Sequence, residues 1–302
     1  MAATFEFFRF RFHFRALTPV RFPSGKAANV IRGGLGMALR EGSPAVFAGL
    51  FQPRSAPGRG PSGLADPPRP FVIRASHLDG TEAGAGSTFC WDVHAFDGAH
   101  PPLAALRQAF ERLAAGGLGP GRGRAVLERV EQLDLGDGAL SAGDAPGALA
   151  PLSIDLDGGP PTAFVRLRFH TPTELKGDGG LAGRPDFGIL FGRLRDRIAA
   201  LSALYGRGPL EIDFRGLGER ARAVRLLGCE LEWHRAERRS GRTGQVHPLG
   251  GFTGEAEYAG ELGEFLPWLA AARWVGVGRQ TVWGKGDVRV VTVSSASVAE
   301  PA

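Results

Sequence analysis

Phe8, Phe10, Phe12 and Phe14 alternate with Arg9, Arg11, His13 and Arg15 near the start of the chain. Successive side chains of an extended backbone point to opposite faces, so a period of two between residue classes specifies a strand. One face of this strand belongs in a core, and the other faces solvent or an anion. Residues 1–40 hold seven basic residues, Arg9, Arg11, Arg15, Arg21, Lys26, Arg32 and Arg40, against Glu6 alone. The whole chain carries a net charge of only +5, so the remainder is slightly acidic. Charge concentrated in this way marks a binding surface better than a diffuse excess does.

Periodicity extends the pattern along the chain. A helix is predicted over 27–40, where Val30, Ile31, Leu35, Ala38 and Leu39 form an apolar stripe. Gly33, Gly34 and Gly36 weaken it by roughly 1 kcal/mol each, which is tolerable where a neighbour must approach closely. Residues 52–70 are rich in proline, glycine and arginine and read as a loop. Strands follow near 71–76 and 87–96, then a helix at 101–115 and a strand at 124–134, giving βαββαβ. The order recurs as a strand at 163–170, a helix at 186–205, strands at 223–235 and 246–258, a helix at 262–272 and a strand at 287–293. The expected fold is α+β, with two tandem ferredoxin-like (RRM-like) domains. They span 1–135, with an insertion at 52–70, and 162–302. Residues 136–161 connect them and hold a short strand at 152–156. A chain of 302 residues suits two cores. The duplication rests on element order alone, since no sequence self-similarity supports it.

The sequence pI of about 9.8 leans towards an anionic partner. Of 36 basic residues only Lys26, Lys176 and Lys285 are lysine. Arginine's planar fork suits bidentate phosphate contact, and a GC-rich genome gives the same bias; both accounts stay open. Cys90 and Cys229 stand alone, so zinc and thioredoxin-like sites are not expected, and no metal or cofactor is. No signal peptide or membrane-spanning stretch is recognised, which makes a cytoplasmic protein without a membrane partner the simplest expectation.

Two further stretches carry chemistry. Residues 275–286 read Val-Gly-Val-Gly-Arg-Gln-Thr-Val-Trp-Gly-Lys-Gly. Gly276, Gly278, Gly284 and Gly286 allow sharp turns and close approach, and Arg279 and Lys285 add charge, a combination that suits a phosphate. A glycine-rich turn joining a helix to the last strand fits equally well. The spacing excludes a Walker A loop and a dinucleotide fingerprint. The turn at 235–244 carries Arg235, Arg238, Arg239 and Arg242 against Glu237, and is either a nucleic-acid clamp or a solvated loop.

The order of residues adds to this. Pro248-Leu249-Gly250-Gly251-Phe252-Thr253-Gly254, Gly260-Glu261-Leu262, Phe265-Leu266-Pro267 and the glycine-rich loop closely resemble the C-terminal signature of the CRISPR repeat-processing endoribonucleases of the RAMP superfamily. Leu167-Arg168-Phe169-His170-Thr171-Pro172-Thr173-Glu174-Leu175-Lys176 resembles the strand that opens that family's second domain. The N-terminal half resembles the family more loosely.

The resemblance implies binding of CRISPR repeat RNA and cleavage of precursor crRNA to mature crRNA, with other CRISPR effector subunits as further partners. It implies metal-independent chemistry: the ribose 2′-hydroxyl attacks the adjacent phosphate, often helped by a histidine near the first helix. Residues 18–40 contain no histidine. Three alternatives stay open. His13 or His234 takes the role; or Arg21, Lys26 and Arg32 stabilise the phosphorane electrostatically, as in the family's type IV variant; or the chain binds crRNA without cutting, as an effector subunit. RNA contacts are expected from Arg9, Arg11, Arg15, Arg40, the four arginines of the 235–244 turn, and Gly276, Gly278, Arg279, Gly284, Lys285 and Gly286. A ferredoxin-like enzyme whose loop grips a nucleotide is a further rival.

Overall fold

A computed structural model describes residues 3–53, 67–98, 100–142, 149–177, 180–234, 237–239, 246–248 and 250–295. Most of the 52–70 insertion lies outside the described residues. The chain begins with β1 (Thr4–Ala16), β2 (Val20–Arg21), α1 (Ala27–Gly42) and α2 (Pro44–Phe51). It continues with β3 (Phe71–Arg74), β4 (Glu82–Ala83), β5 (Thr88–Ala95), α3 (Leu103–Gly116), β6 (Ala125–Leu133), β7 (Ala139–Ala142) and β8 (Leu152–Asp155). The first sheet is ordered β3-β5-β1-β6-β7, and β8 pairs with the start of β1, Thr4 opposite Asp155. The tiny β2 pairs with β4, which carries residues 82–83 to the segment just before α1.

The second unit comprises β9 (Phe164–Thr173), β10 (Lys176–Gly177), β11 (Gly180–Leu181), α4 (Phe187–Tyr205), α5 (Phe214–Ala223) and β12 (Arg225–His234). It ends with β13 (Glu237–Arg239), β14 (Val246–Pro248), β15 (Gly251–Ala259), α6 (Leu266–Val275) and β16 (Val288–Ser294). Its main sheet is ordered β12-β15-β9-β16, antiparallel throughout. In both sheets the first strand of the unit lies between the third and the fourth. These are two tandem ferredoxin-like folds.

The alternation in β1 separates two faces as its period requires. Phe8, Phe10, Phe12 and Phe14 are fully buried, and the Phe12 ring meets Phe110 of α3 at 4.7 Å. α1 packs closely on α3 through Gly34, where a Cβ would stand 2.4 Å from Leu113 Cδ1. Phe5 and Phe7 lie on the other face of β1 and join the apolar cluster of the second domain, with Phe7 5.6 Å from Trp274. β1 is therefore shared by both cores.

Two helices go beyond the sequence expectation. α2 starts on Pro44, which suits a first helical turn. α5 is capped by Asp213, whose carboxylate accepts from Gly216 N at 2.8 Å. In β12 a bulge falls between Leu226 and Gly228, and Leu227 is exposed there.

The last turn of α6 is fixed by side chains of both domains. Arg74 of β3 donates to Arg273 O at 2.8 and 3.1 Å, His94 of β5 places Nδ1 2.9 Å from Trp274 O, and Arg197 of α4 donates to Val275 O at 2.8 Å. Cations suit these carbonyls, since they carry the negative end of the helix dipole. Burial draws the Arg197 guanidinium down to about 9 and pushes His94 well below the ordinary histidine range. The glycine-rich loop leaves from this anchored turn.

Candidate nucleic-acid site

Residues 276–286 fold back onto the start of α1. The backbone is left-handed at Gly276, Gly278, Gly284 and Gly286, with φ of 70° to 79°, and at Gln280, with φ 67°. Its amides are largely engaged within the protein: Gly276 with Ala272 O, Val277 with Gly286 O, Arg279 with Glu174 O, Trp283 with Gln280 O, Gly284 with Thr281 O and Gly286 with Pro172 O. Lys285 is only 6% exposed, and its Nζ donates to Gly25 O at 3.0 Å. Burial pulls this amine below the ordinary lysine value; Asp79 opposes the effect and Lys26 reinforces it. A Cβ on Gly284 would stand 2.5 Å from Ala28 Cβ. The guanidinium of Arg32 lies 4.9 Å from the Phe51 ring and 5.5 Å from the Trp283 ring.

These contacts engage the residues of the expected phosphate cradle within the protein. Lys285 faces the α1 junction instead of solvent, and Arg32 is a strut between the domains. The loop clasps α1 to the second domain. Arg279 does reach the surface, where its Nη1 meets the buried Glu174 at 2.6 Å.

The clasped helix end has its own anion. Lys26 occupies the N-cap position without a side-chain cap, and Asp79 accepts from Ala27 N at 2.8 Å. Burial raises the Asp79 carboxyl; hydrogen bonds from the Ala27 and Lys26 amides and the charge of Lys285 act against it. A carboxylate already satisfies this helix N-terminus, so a phosphate here is held by side chains. Arg21 reaches solvent on β2, with Nε 2.5 Å from Glu82. His77 lies in the 3-10 turn Ser76–Leu78, is exposed, and has Nε2 2.8 Å from Cys90 O. A carbonyl partner requires the proton on Nε2, which leaves Nδ1 as the acceptor of a neutral imidazole. Sequence spacing gives no hint of His77, because its turn is brought to α1 by contacts between distant segments, the pairing of β2 with β4 and the Asp79–Ala27 bond among them. Arg40 is at the far end of α1, about 20 Å away at 1.5 Å per residue.

The basic face of β1 is neutralised by the chain itself. Arg9 is buried and bonded to Asp137 and to Asp134 O. Arg11 makes a bidentate pair with Asp92 at 2.7 and 2.9 Å, which raises its pKa. Arg15 pairs with Glu128 at 2.5 Å. His13 meets Glu131 at 2.5 Å; burial opposes ionisation of Glu131, yet hydrogen bonds from His13 and Arg129 hold its carboxyl below the usual range. Neighbouring β5 and β6 supply most of these carboxylates, so the expected row of phosphate-facing cations is an ion-paired sheet surface. His234, at the end of β12, has Nε2 2.6 Å from Thr253 Oγ1. His13 and His234 thus lie on different sheets, and their partners are not groups of the α1 junction. Arg238 and Arg239 are on β13, while Arg235 and Arg242 lie outside the described residues. Among the described residues, no group of three His, Cys, Asp or Glu side chains is placed to hold a metal ion, and no helix is long and apolar enough to cross a membrane.

Residues 167–288, from β9 through the clasp, match the family model of the CRISPR-associated endoribonuclease Cas6. The match spans most of the second domain and less than half of the whole chain. A second family model, described as an N-terminal domain, matches residues 5–145. Among solved structures, Thermus thermophilus Cas6 is similar at 19% identity with a TM-score of 0.55, covering 96% of this chain and 99% of that one. A product complex of the same Cas6 matches at 22% identity and a TM-score of 0.61, over 94% of this chain and all of that one. A Cas6-RT-Cas1–Cas2 complex matches at 12% identity and a TM-score of 0.61, over 98% of this chain and 30% of that one. At these identities the likenesses establish the tandem ferredoxin-like fold. No curated protein matches. The clasp thus lies within the matched residues and meets the first helix of the N-terminal domain.

Proposed function

We propose that this chain binds CRISPR repeat RNA in the cytoplasm and cleaves the precursor without a metal ion, at the start of α1. The observation that carries it is the clasp. The family's glycine-rich segment fixes the N-terminal end of α1, and His77, Lys26 and Arg21 surround that end. In the proposed step the 2′-oxygen bonds to phosphorus, the bond from phosphorus to the 5′-oxygen breaks, and the products carry a 2′,3′-cyclic phosphate and a 5′-hydroxyl. His77 Nδ1 accepts the proton of the 2′-hydroxyl, and the leaving 5′-oxygen takes a proton from solvent to become the 5′-hydroxyl. Lys26 and Arg21 offset the charge that develops on the non-bridging oxygens, an effect worth several kcal/mol when the donors are preorganised. Arg32 supports the site through Phe51 and Trp283 and leaves the electrostatic work to those two cations.

A second reading is favoured by one specific observation: Arg21 is paired with Glu82 and Arg32 is stacked, so two of the three basic candidates at α1 are engaged. On that reading the chain holds crRNA without cutting it. Incubating the protein with its cognate precursor repeat in EDTA, followed by analysis of product ends, separates the two. Cleavage with a cyclic phosphate end supports the enzyme; tight binding with intact RNA supports the binding subunit.

A further inference from the structure

The helical side of the second domain carries a groove that the α1 site does not use. It has a volume of about 770 Å³ and lies between α4 and α5, with Lys176, Arg193, Arg195, Arg215 and Arg222 lining it against Asp186 and Asp196. Five cations against two carboxylates is a dense local excess for a chain with a net charge of +5. On the open face of the same domain's sheet the charges are balanced: Glu230, Glu255, Arg168 and Arg289 form one row, and Glu257 pairs with Arg166 in the next. The helical groove, in contrast, holds cations in excess of its carboxylates.

The groove also holds an aromatic ring. Phe214, the first residue of α5, is 40% exposed, and the Arg195 guanidinium lies over it at 5.4 Å. Arg195 is fixed there by Asp196 at 2.7 Å and by Phe214 O at 2.6 Å. Around this platform Arg193 is anchored through Nε to Lys176 O at 2.7 Å, and Arg222 crosses Gly188, where a Cβ would stand 2.9 Å from its Cγ. Lys176, Arg193, Arg215 and Arg222 are all exposed. Among the described residues Arg193 and Arg222 make no ion pair.

An exposed aromatic inside a basic concave strip is the arrangement that binds single-stranded nucleic acid, with cations along the backbone and rings under the bases. A duplex hides its base faces in the stack and has no use for the ring. We propose that the α4–α5 groove binds a single-stranded stretch of the RNA that the chain processes, with a base on Phe214 and phosphates on Arg193, Arg222 and Lys176. The proposal rests on the RNA reading above.

The test measures the full chain's affinity for the repeat stem with and without a single-stranded flank, across a salt series. The wild type gains affinity from the flank. In the double variant Arg193→Glu/Arg222→Glu the ratio of flanked to bare affinity falls to one, and the salt slope drops by about 1.4, since each lost contact to a single strand removes about 0.7. Phe214→Ser, at an exposed position, lowers the flanked affinity about tenfold with an unchanged thermal melt. A flank that adds nothing, or a ratio unchanged in both variants, overturns the groove and leaves repeat binding standing. Failure of the wild type to bind any repeat RNA overturns the RNA reading and the groove with it. Polyglutamate binding the groove as tightly as oligouridylate would assign it to an acidic protein instead.

Discussion

Replacing Gly284 by alanine perturbs the clasp at one atom. The new methyl stands 2.5 Å from Ala28 Cβ, and the backbone there has φ of 79°. A left-handed conformation costs an L-residue roughly 1–2 kcal/mol, and forcing a methyl into a packed contact adds about 1–3 kcal/mol. The sum is about 2–5 kcal/mol, or roughly 4–20 °C in Tm at about 2–4 °C per kcal/mol. The strain falls between the loop and the first turn of α1, so the rate of repeat cleavage should fall together with stability. Ala28→Gly removes the opposing methyl. In the double variant the steric part should return, a coupling of about 1–3 kcal/mol, while the φ cost remains. Calorimetry on the four proteins of this cycle, with single-turnover cleavage beside it, reads both effects. A Gly284→Ala protein that melts and cuts like the wild type, or an Ala28→Gly change that restores nothing, refutes the clasp.

Other substitutions address the remaining parts. His77→Ala should abolish cleavage but leave RNA affinity within about twofold; an unchanged cleavage rate removes His77 from the reaction. Arg32→Ala should lower stability by about 1–2 kcal/mol through the lost stacking on Phe51 and Trp283, and lysine at this position should not restore it, as thermal melts would show. His94 is held neutral, so the unfolded chain binds the extra proton: stability should rise with pH through the ordinary histidine range and fall below about pH 6.5. His94→Gln should weaken that dependence in melts between pH 5 and 8.

The order of strands and helices was legible because period-two and helical patterns are local. Phe8 to Phe14 and the stripe of Ile31, Leu35 and Leu39 each state their own burial. Partners in space were not legible. Arg9, Arg11 and Arg15 look like a phosphate-facing row until Asp92, Glu128 and Asp137 arrive from distant segments. Lys285 looks like a phosphate ligand until Gly25 O closes over it. α5 escaped detection because Gly216 and Gly218 interrupt a short, arginine-rich segment, although Asp213 and the Arg215–Glu219 spacing are helix signals. His77 reached the candidate site through the two-residue pairing of β2 and β4 and the Asp79–Ala27 bond, which leave no periodic trace. The clasp residues were found by order and resemblance, and their structural role came from the geometry.

The central claim is 2′-hydroxyl attack at the α1 junction. It is tested most directly with a precursor repeat carrying a single 2′-deoxy nucleotide immediately upstream of the cut, in buffer containing EDTA. The account predicts that this RNA binds as tightly as the all-ribose repeat and stays intact, while the all-ribose repeat is cut. Cleavage of the deoxy substrate at the same position, or loss of all-ribose cleavage on chelation, contradicts it.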